Sequence, residues 1–387
     1  MHPPTCGRPA AHGLARWNPS IRRGTGGCRM KGLLLAGGHG TRLRPLTFTG
    51  NKHMIPIANE PMLFYGLRHL AEGSVKEVGI ILGPLHEGIE EAVGDGSAFG
   101  LRVTYIHQGD PKGLAHAVLC ARAFLGDEPF VMYLGDNLLQ EGTRPLIKLF
   151  HDTECDAAVG VTPVPNPSSY GIAEMDGDKL VSIAEKPTAP RSNLALIGVY
   201  VFSPRIHPVI QELIPSRRGE LEITDAIWKL REEHRTVSVR HVEGWWKDTG
   251  RPEDLLEAND LVLQTSVPGG FVNLGTVAEG AVLEGPIRIG RGSFVAPNAR
   301  IEGPVVIGND VRIETEARIG PSVSIGNRCT IGRRGGVRRS IVMEETVVEG
   351  SVTLSNSIVG RRATISSGGN ESIEVSCIVG DSSRLLF

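Results

Sequence analysis

The sequence predicts an α/β fold, a doubly wound and largely parallel sheet, followed by a parallel β-helix. Three observations carry this. From residue 30 to about residue 264, short apolar runs alternate with helical patterns, as parallel strands joined by crossover helices do. After residue 265 an aliphatic residue recurs every sixth position, the period of a stacked β-helix. The first apolar run empties into a glycine-rich, cationic loop, and doubly wound sheets bind ligands beyond the carboxyl ends of their strands.

The 387 residues exceed the ~250–300 that one core usually organises. We therefore expect two domains, residues 30–264 and 265–387, behind an extension of residues 1–29. That extension is rich in Pro, Gly and Arg and has no acidic residue. It lacks the apolar core of a secretory signal. Pro3, Pro4, Pro9 and Pro19 spoil the amphipathic helix of a transit peptide. Disorder is expected, with Met30 as a natural start, and deletion of residues 1–29 should leave activity intact.

A net charge of −2 argues against general nucleic-acid affinity, which needs a basic face. No apolar run reaches the ~20 residues of a membrane span. Six cysteines, Cys6, Cys28, Cys120, Cys155, Cys329 and Cys377, lie without C-x-x-C spacing. They read as reduced thiols of a cytoplasmic protein, not as a zinc site or a disulfide framework.

In order, Gly32–Ala36 is a short buried strand. Gly37, Gly38 and Gly40 let the backbone turn and approach a ligand closely, and Thr41, Arg42 and Arg44 follow. Backbone N–H groups and Arg42 suit phosphate oxygens; a tight turn with surface arginines is the other reading. The loop is no dinucleotide fingerprint, because Leu43 stands where the third glycine belongs, and no Lys-Ser or Lys-Thr makes it a Walker loop. Strands are expected at Val78–Leu82, Val103–Ile106, Phe130–Leu134 and Ala157–Val161. Helices are expected at Met62–Glu72, His86–Val93 and Gly113–Phe124.

Phe130–Leu134 runs into Gly135-Asp136-Asn137. A carboxylate past a buried strand can hold Mg²⁺, which takes one or two carboxylates plus substrate phosphates, although turn aspartates are common. Asp248, in Trp245-Trp246-Lys247-Asp248-Thr249-Gly250, supplies a second carboxylate. Gln108 offers a donor and an acceptor on one amide, which suits a base edge, and Gly113 stands at a helix start. Tyr170-Gly171 and Glu185-Lys186 taken alone read as strand residues and a surface ion pair. Residues 218–225, RGELEITD, read as a helix start with Thr224 and Asp225 as capping signals.

The six-residue row is Val277, Leu283, Ile289, Val295, Ile301, Ile307, Ile313, Ile319, Ile325, Ile331 and Val337. Small or β-branched residues stand four positions after many of them, as at Ser293, Ala299, Val305, Val311, Ala317 and Val323. Beyond Val337 the period slips to a loose echo at Ile341, Ile358 and Ile378. Many hexapeptide proteins are acyltransferases that use a histidine base, but no histidine follows His241. A structural, regulatory or oligomeric role is therefore expected.

The glycine loop, LLLAGGHGTRLRPLT at residues 33–47, with the lysine of Asn51-Lys52-His53-Met54-Ile55-Pro56 just after it, resembles the opening of the sugar-1-phosphate nucleotidyltransferases. The family's LGDN, W-x-D-T-G, Q-x-x-x-x-G-L-A-x-A, YGV and EKP segments match here at Leu134–Asn137, Trp246–Gly250, Gln108–Ala117, Tyr170–Ile172 and Glu185–Pro187. Residues 218–225 and the segment 244–260 resemble the long-form glucose-1-phosphate thymidylyltransferases.

The resemblance implies a Rossmann-like domain and a left-handed β-helix. It implies Mg²⁺ as cofactor, held by Asp136 and Asp248. Arg42 and Lys52 would be catalytic. Gly37, Gly38, Gly40, Thr41, Arg42, Gln108 and Gly113 would bind the nucleotide. Asn137, Tyr170, Gly171, Glu185, Lys186, Leu196 and Trp246 would hold the sugar phosphate. The substrates would be dTTP and glucose-1-phosphate, with no nucleic acid or membrane partner, in a cytoplasmic homo-oligomer. Short-form enzymes carry Gln where this chain has His53. Two other readings stay open: another base or sugar, and a silent regulatory subunit, although all four of Arg42, Lys52, Asp136 and Asp248 are present.

Overall fold

The computed structural model describes residues 29–84, 86, 88–266, 270–368 and 371–387. The expected disordered extension therefore lies, except for Arg29, outside the described residues. The first strand, Lys31–Ala36, sits inside the sheet, hydrogen-bonded in parallel to Glu77–Leu82 on one side and Phe130–Leu134 on the other. Arg102–His107 extends the parallel run. A strand covered on both faces must be apolar throughout. Leu33 and Leu35 face one core, and Leu34 and Ala36 face the other.

The helix Met62–Glu72 packs on one face, with Leu63, Leu67 and Leu70 buried. Leu114–Cys120 and Ile223–Glu232 pack on the opposite face through Ala117, Val118, Ile227 and Leu230. The sheet is thus doubly wound. Beyond Phe130–Leu134 its pairing turns antiparallel: Leu194–Phe202 joins Phe130–Leu134, Ala157–Pro163 and Gly171–Asp176, and the last pairs with Lys179–Glu185. Val237–His241 adds a last strand, parallel to Ala157–Pro163, and with it the parallel run and the antiparallel wing make one 9-stranded sheet among the described residues.

Two helices differ from expectation. The one expected over His86–Val93 spans Ile89–Val93, because Gly88 before it is left-handed at φ 80; Leu85 and Glu87 lie outside the described residues. The one expected over Gly113–Phe124 is two pieces, Leu114–Cys120 and Arg122–Leu125, separated at Ala121.

The C-terminal part is a left-handed β-helix, with three parallel sheets of 7, 7 and 6 strands among the described residues. Ile289, Val295, Ile301, Ile307, Ile313, Ile319, Ile325, Ile331 and Val337 line its core, with Ala299, Val305, Val311, Ala317 and Val323 beside them. Val277 and Leu283 pack against it. The slip after Val337 is a change of coil length within a continuous stack. Asn309 and Asn327, 18 residues apart, bond across one step, Ser340 and Ser357 are 17 apart, and Ser357 and Cys377 are 20 apart. Ile341 and Ile358 turn outward from this core to meet the first domain.

Cys120, Cys155, Cys329 and Cys377 are free thiols. No helix among the described residues is long and apolar enough to cross a membrane.

Candidate active site

Four parallel strands end at the site. The chain leaves them at Gly37, Gly83, Gln108 and Gly135-Asp136. The glycine loop is wedged between two side chains. A Cβ at Gly37 would stand 2.9 Å from Gln108 Oε1, and one at Gly38 would stand 3.1 Å from Lys52 Nζ. Gly40 is left-handed at φ 61 and lies against Lys52 Cβ. Thr41 and Arg42 begin the short Thr41–Leu43 turn and are exposed. The Arg42 guanidinium lies beside Gly250, 3.4 Å from where a Cβ would be.

Lys52 opens a short turn, Lys52–Met54, whose cap is Asn51. Its ammonium pairs with the Asp136 carboxylate. Burial alone would raise the Asp136 pKa, but the Lys52 charge and its hydrogen bond overcome that and hold the carboxyl below its usual range. Asn137 Nδ2 donates to Asp136 Oδ1 at 3.0 Å.

A two-stranded ribbon brings the second carboxylate in. Trp246–Asp248 pairs antiparallel with Asn137–Leu139, placing Asp248 opposite Asn137. Thr249 locks the junction, its N–H and hydroxyl both donating to the Asp136 carbonyl at 3.0 and 2.7 Å. Burial and then the Asp136 charge push the Asp248 pKa up, against the pull of Lys52 and Arg42. Asp136 thus raises the proton affinity of Asp248, as a like charge does, and a bound cation would relieve that repulsion. Among the described residues no three His, Cys, Asp or Glu side chains form a metal cage. The pair Asp136 and Asp248 fits Mg²⁺, which takes few protein carboxylates and completes its shell from phosphates and water.

Gln108 Nε2 contacts His116 Nδ1 at 3.0 Å, so the amide is oriented from the following helix. Gly113 caps that helix at φ 102, and a Cβ there would lie 2.7 Å from the Leu221 backbone nitrogen. What needs this glycine is protein backbone. Leu221 N–H donates to Lys112 O at 2.8 Å, and Ala115 N–H donates to Leu221 O at 3.1 Å. Residues 218–225 are therefore stitched to the loop that carries Gln108.

The same segment grips the antiparallel wing. Arg218 Nη1 donates to Glu185 Oε1 at 3.1 Å and lies 3.3 Å from Glu222 Oε1. Thr224 Oγ1 donates to Glu185 Oε2 at 3.2 Å. The helix starts here as expected, at Ile223 with Asp225 in its first turn, but Glu222 is at the cap without a side-chain cap bond, so Thr224 and Asp225 lie inside the helix and not at its cap. Thr224 turns inward because Glu185 offers it a partner. Lys186 Nζ lies 3.7 Å from Glu185, on a left-handed backbone at φ 42.

Tyr170 meets Trp246 edge to face, with ring centroids 5.5 Å apart. Trp246 Nε1 donates to Asn137 Oδ1 at 2.7 Å, and Gly198 N–H donates to the same oxygen at 3.1 Å. Asn137 is thus buried and internally bonded, holding Asp136 and Trp246 in place. Leu196 is buried, and Gly171 packs against it and Thr224. His53 is also buried. Its Nδ1 lies 2.6 Å from Asn51 Oδ1, and burial with the Lys52 charge lowers its pKa to about 3.

The sequence gives no separate site role to Gly83, His116, Gly198, Arg218 or Thr224, and the last two stand out only within the segment 218–225. Gly198 had a signal, a glycine inside an apolar strand, which marks close approach of another group. Arg218 and Thr224 act through Glu185, 33 and 39 residues away, whereas His116 lies only 8 from Gln108, inside the Gln108–Ala117 segment.

Comparison with known proteins shows the family. The nucleotidyl transferase family profile matches residues 31–265, and a GMPPB C-terminal domain profile matches residues 301–385. A low-salt glycan biosynthesis nucleotidyltransferase, Agl11 of Haloferax volcanii, is 50% identical over 264 residues, 67% of this chain and 72% of its own length. A glucose-1-phosphate thymidylyltransferase of Streptomyces griseus is 49% identical over 240 residues, 62% of this chain and 68% of its own. A crystal structure of UDP-glucose pyrophosphorylase with UDP-glucose superposes with TM-score 0.54 at 27% identity, covering 61% of this chain and 99% of that one. With the glycine loop, the lysine and both carboxylates gathered at one sheet edge, the chain belongs to the nucleotidyl transferase family.

Proposed function

We propose that this chain transfers a thymidylyl group from dTTP to α-D-glucose-1-phosphate, giving dTDP-glucose and pyrophosphate. A phosphate oxygen of the sugar phosphate attacks the α-phosphorus. The bond from that phosphorus to the bridging oxygen breaks opposite, and pyrophosphate leaves with the electron pair. No covalent enzyme intermediate is needed, and rate comes from positioning and charge neutralisation. Arg42 meets the charge on the β- and γ-phosphates. Lys52 lies between the α-phosphate and the sugar phosphate. Asp136 and Asp248 would hold Mg²⁺, which supplies charge neutralisation on the phosphates. Gln108 reads the base edge, and Glu185 accepts hydrogen bonds from sugar hydroxyls. The enzyme works in the cytoplasm as a homo-oligomer; the exposed Phe271, Val272 and Leu274 on its first coil suit cover by a second copy.

The observation that carries the choice of thymidine and glucose is the segment 218–225, bonded at once to the Gln108 loop and to Glu185. Names of relatives such as the Streptomyces griseus protein support it. A second reading, a different nucleoside triphosphate at the same site, is favoured by the Haloferax volcanii relative and the C-terminal profile. The test is pyrophosphate release with Mg²⁺ and glucose-1-phosphate, run in parallel with dTTP, UTP, GTP, ATP and CTP. Clear preference for dTTP is expected. Preference for UTP or GTP would move the assignment to the second reading and leave the metal pair untouched.

A further inference from the structure

The β-helix reaches back to the two segments that carry the proposed catalytic cations. Its last coils present Arg361 and Asp381 side by side. The Arg361 backbone N–H donates to Asp381 Oδ1 at 2.8 Å, and the two side chains lie 4.0 Å apart. Asp381 Oδ2 accepts from Thr49 Oγ1 at 2.8 Å. Arg361 Nη2 donates to the carbonyl of Met54 at 3.3 Å. The Pro45 carbonyl lies 3.1 Å from where a Cβ of Gly380 would be. Beneath these bonds Leu43, Leu46 and Ile55 share one apolar cluster with Ile341, Met343 and Ile358. Met54 closes the single turn that Lys52 opens, and Leu43 follows Arg42 directly.

We infer that Arg361 and Asp381 are positioning residues for nucleotidyl transfer, clamping residues 45–54 from the β-helix so that Lys52 and Arg42 are held against Asp136 and Asp248. This rests on the catalytic reading of Lys52. The phosphate loop has glycines at three of four positions, and Thr47 Oγ1, inside the clamped stretch, donates to the Gly40 carbonyl at 2.8 Å, so a stretch held from the β-helix also holds the loop. The clamp touches no substrate, so it acts on the rate of the bound complex and not on substrate affinity.

The test compares Arg361→Ala, Arg361→Lys, Thr49→Val and Lys52→Ala in the full chain, with the nucleotide that the wild type turns over best. Arg361→Ala should lower kcat about 10-fold, within the range that a small misplacement of a catalytic group costs. KM for both substrates and the melting temperature should stay at wild-type values. Arg361→Lys, which can still donate to Met54, should recover most of the rate. Thr49→Val, nearly isosteric and exposed, should lower kcat in the same direction and covers the case in which Arg361→Ala misfolds. Amide exchange in residues 45–54 should quicken in both variants while Lys31–Ala36 stays protected. Wild-type kcat in Thr49→Val, or in a folded Arg361→Ala, alongside a large loss in Lys52→Ala, overturns the clamp. Wild-type kcat in Lys52→Ala overturns the catalytic reading instead.

Discussion

At the scale of single residues, the site is a balance of charges that neutralise each other. Lys52 holds Asp136 ionised, while Asp248 is pushed toward its neutral form by burial and by Asp136. Asp136→Asn keeps the shape and removes the charge that binds Lys52. Arg42→Ala removes the exposed guanidinium beside Gly250. Each should lower turnover at least ~10²-fold, the scale of one lost electrostatic stabiliser, measured as pyrophosphate release under saturating substrates. Near wild-type rates would refute the role given to that residue.

His53 behaves differently. Its folded pKa of about 3 lies far below the ordinary histidine value of 6.5, so the unfolded chain binds the proton more readily. Stability from this group is complete above pH 6.5 and falls as pH drops toward 3. From pH 7 to pH 5 the loss is about 2 kcal/mol. His53→Gln should remove that part of the slope in urea unfolding; an unchanged slope would show that His53 titrates normally.

At the scale of elements, the segment 218–225 is the connection that matters. Its backbone at Leu221 crosses Gly113 so closely that no side chain fits, and φ 102 at Gly113 is itself unfavourable for an L-residue. Gly113→Ala should therefore cost about 1–3 kcal/mol of local strain, spent by moving the Gln108 loop away from Leu221. The expected readout is a raised KM for the nucleotide with KM for the sugar phosphate less affected. A nucleotide KM that does not move would mean the stitch has no bearing on base binding.

The glycine loop, the strand ends and the helix Met62–Glu72 were legible in the sequence because each is specified locally, by glycine spacing or by a run of apolar residues. The inward turn of Thr224 was not, since Glu185, its partner, is 39 residues away. A capping signal and an inward hydrogen bond use the same residue type, and only the fold decides between them. The internal bonding of Asn137 was hidden for the same reason: Gly198 and Trp246 arrive from strands far along the chain. The β-helix shows the converse. Its strict six-residue row was plain up to Val337, and the coil of 17 residues that follows erased the period in sequence without interrupting the stack.

At the scale of the whole molecule, we propose that the β-helix supports the nucleotidyltransferase domain. It has no histidine to serve as an acceptor-activating base, so acetyl-CoA consumption with a hexosamine-1-phosphate should stay at background. Its docking face instead supplies partners to the first domain. Asn59 Nδ2 donates to Ile325 O at 2.6 Å. Asn259, 1% exposed, lies in the helix Pro252–Ser266 between the two domains. Its Oδ1 accepts both Ala58 N–H at 2.8 Å and Ser324 Oγ at 2.9 Å. Asn259→Leu would leave two buried donors without an acceptor, at a cost of about 2–4 kcal/mol. Because Leu255, Ala258 and Val262 share one apolar cluster with Val306 and Met343, the domains should unfold together in the wild type, as a single calorimetric transition. Asn259→Leu should lower that transition and keep it single if the apolar cluster dominates the interface. Two separate transitions in the wild type would show that the domains are independent and that the support is only geometric. A lowered but single transition, with kcat falling in step, would tie the rigidity of the phosphate loop to the β-helix across the whole interface.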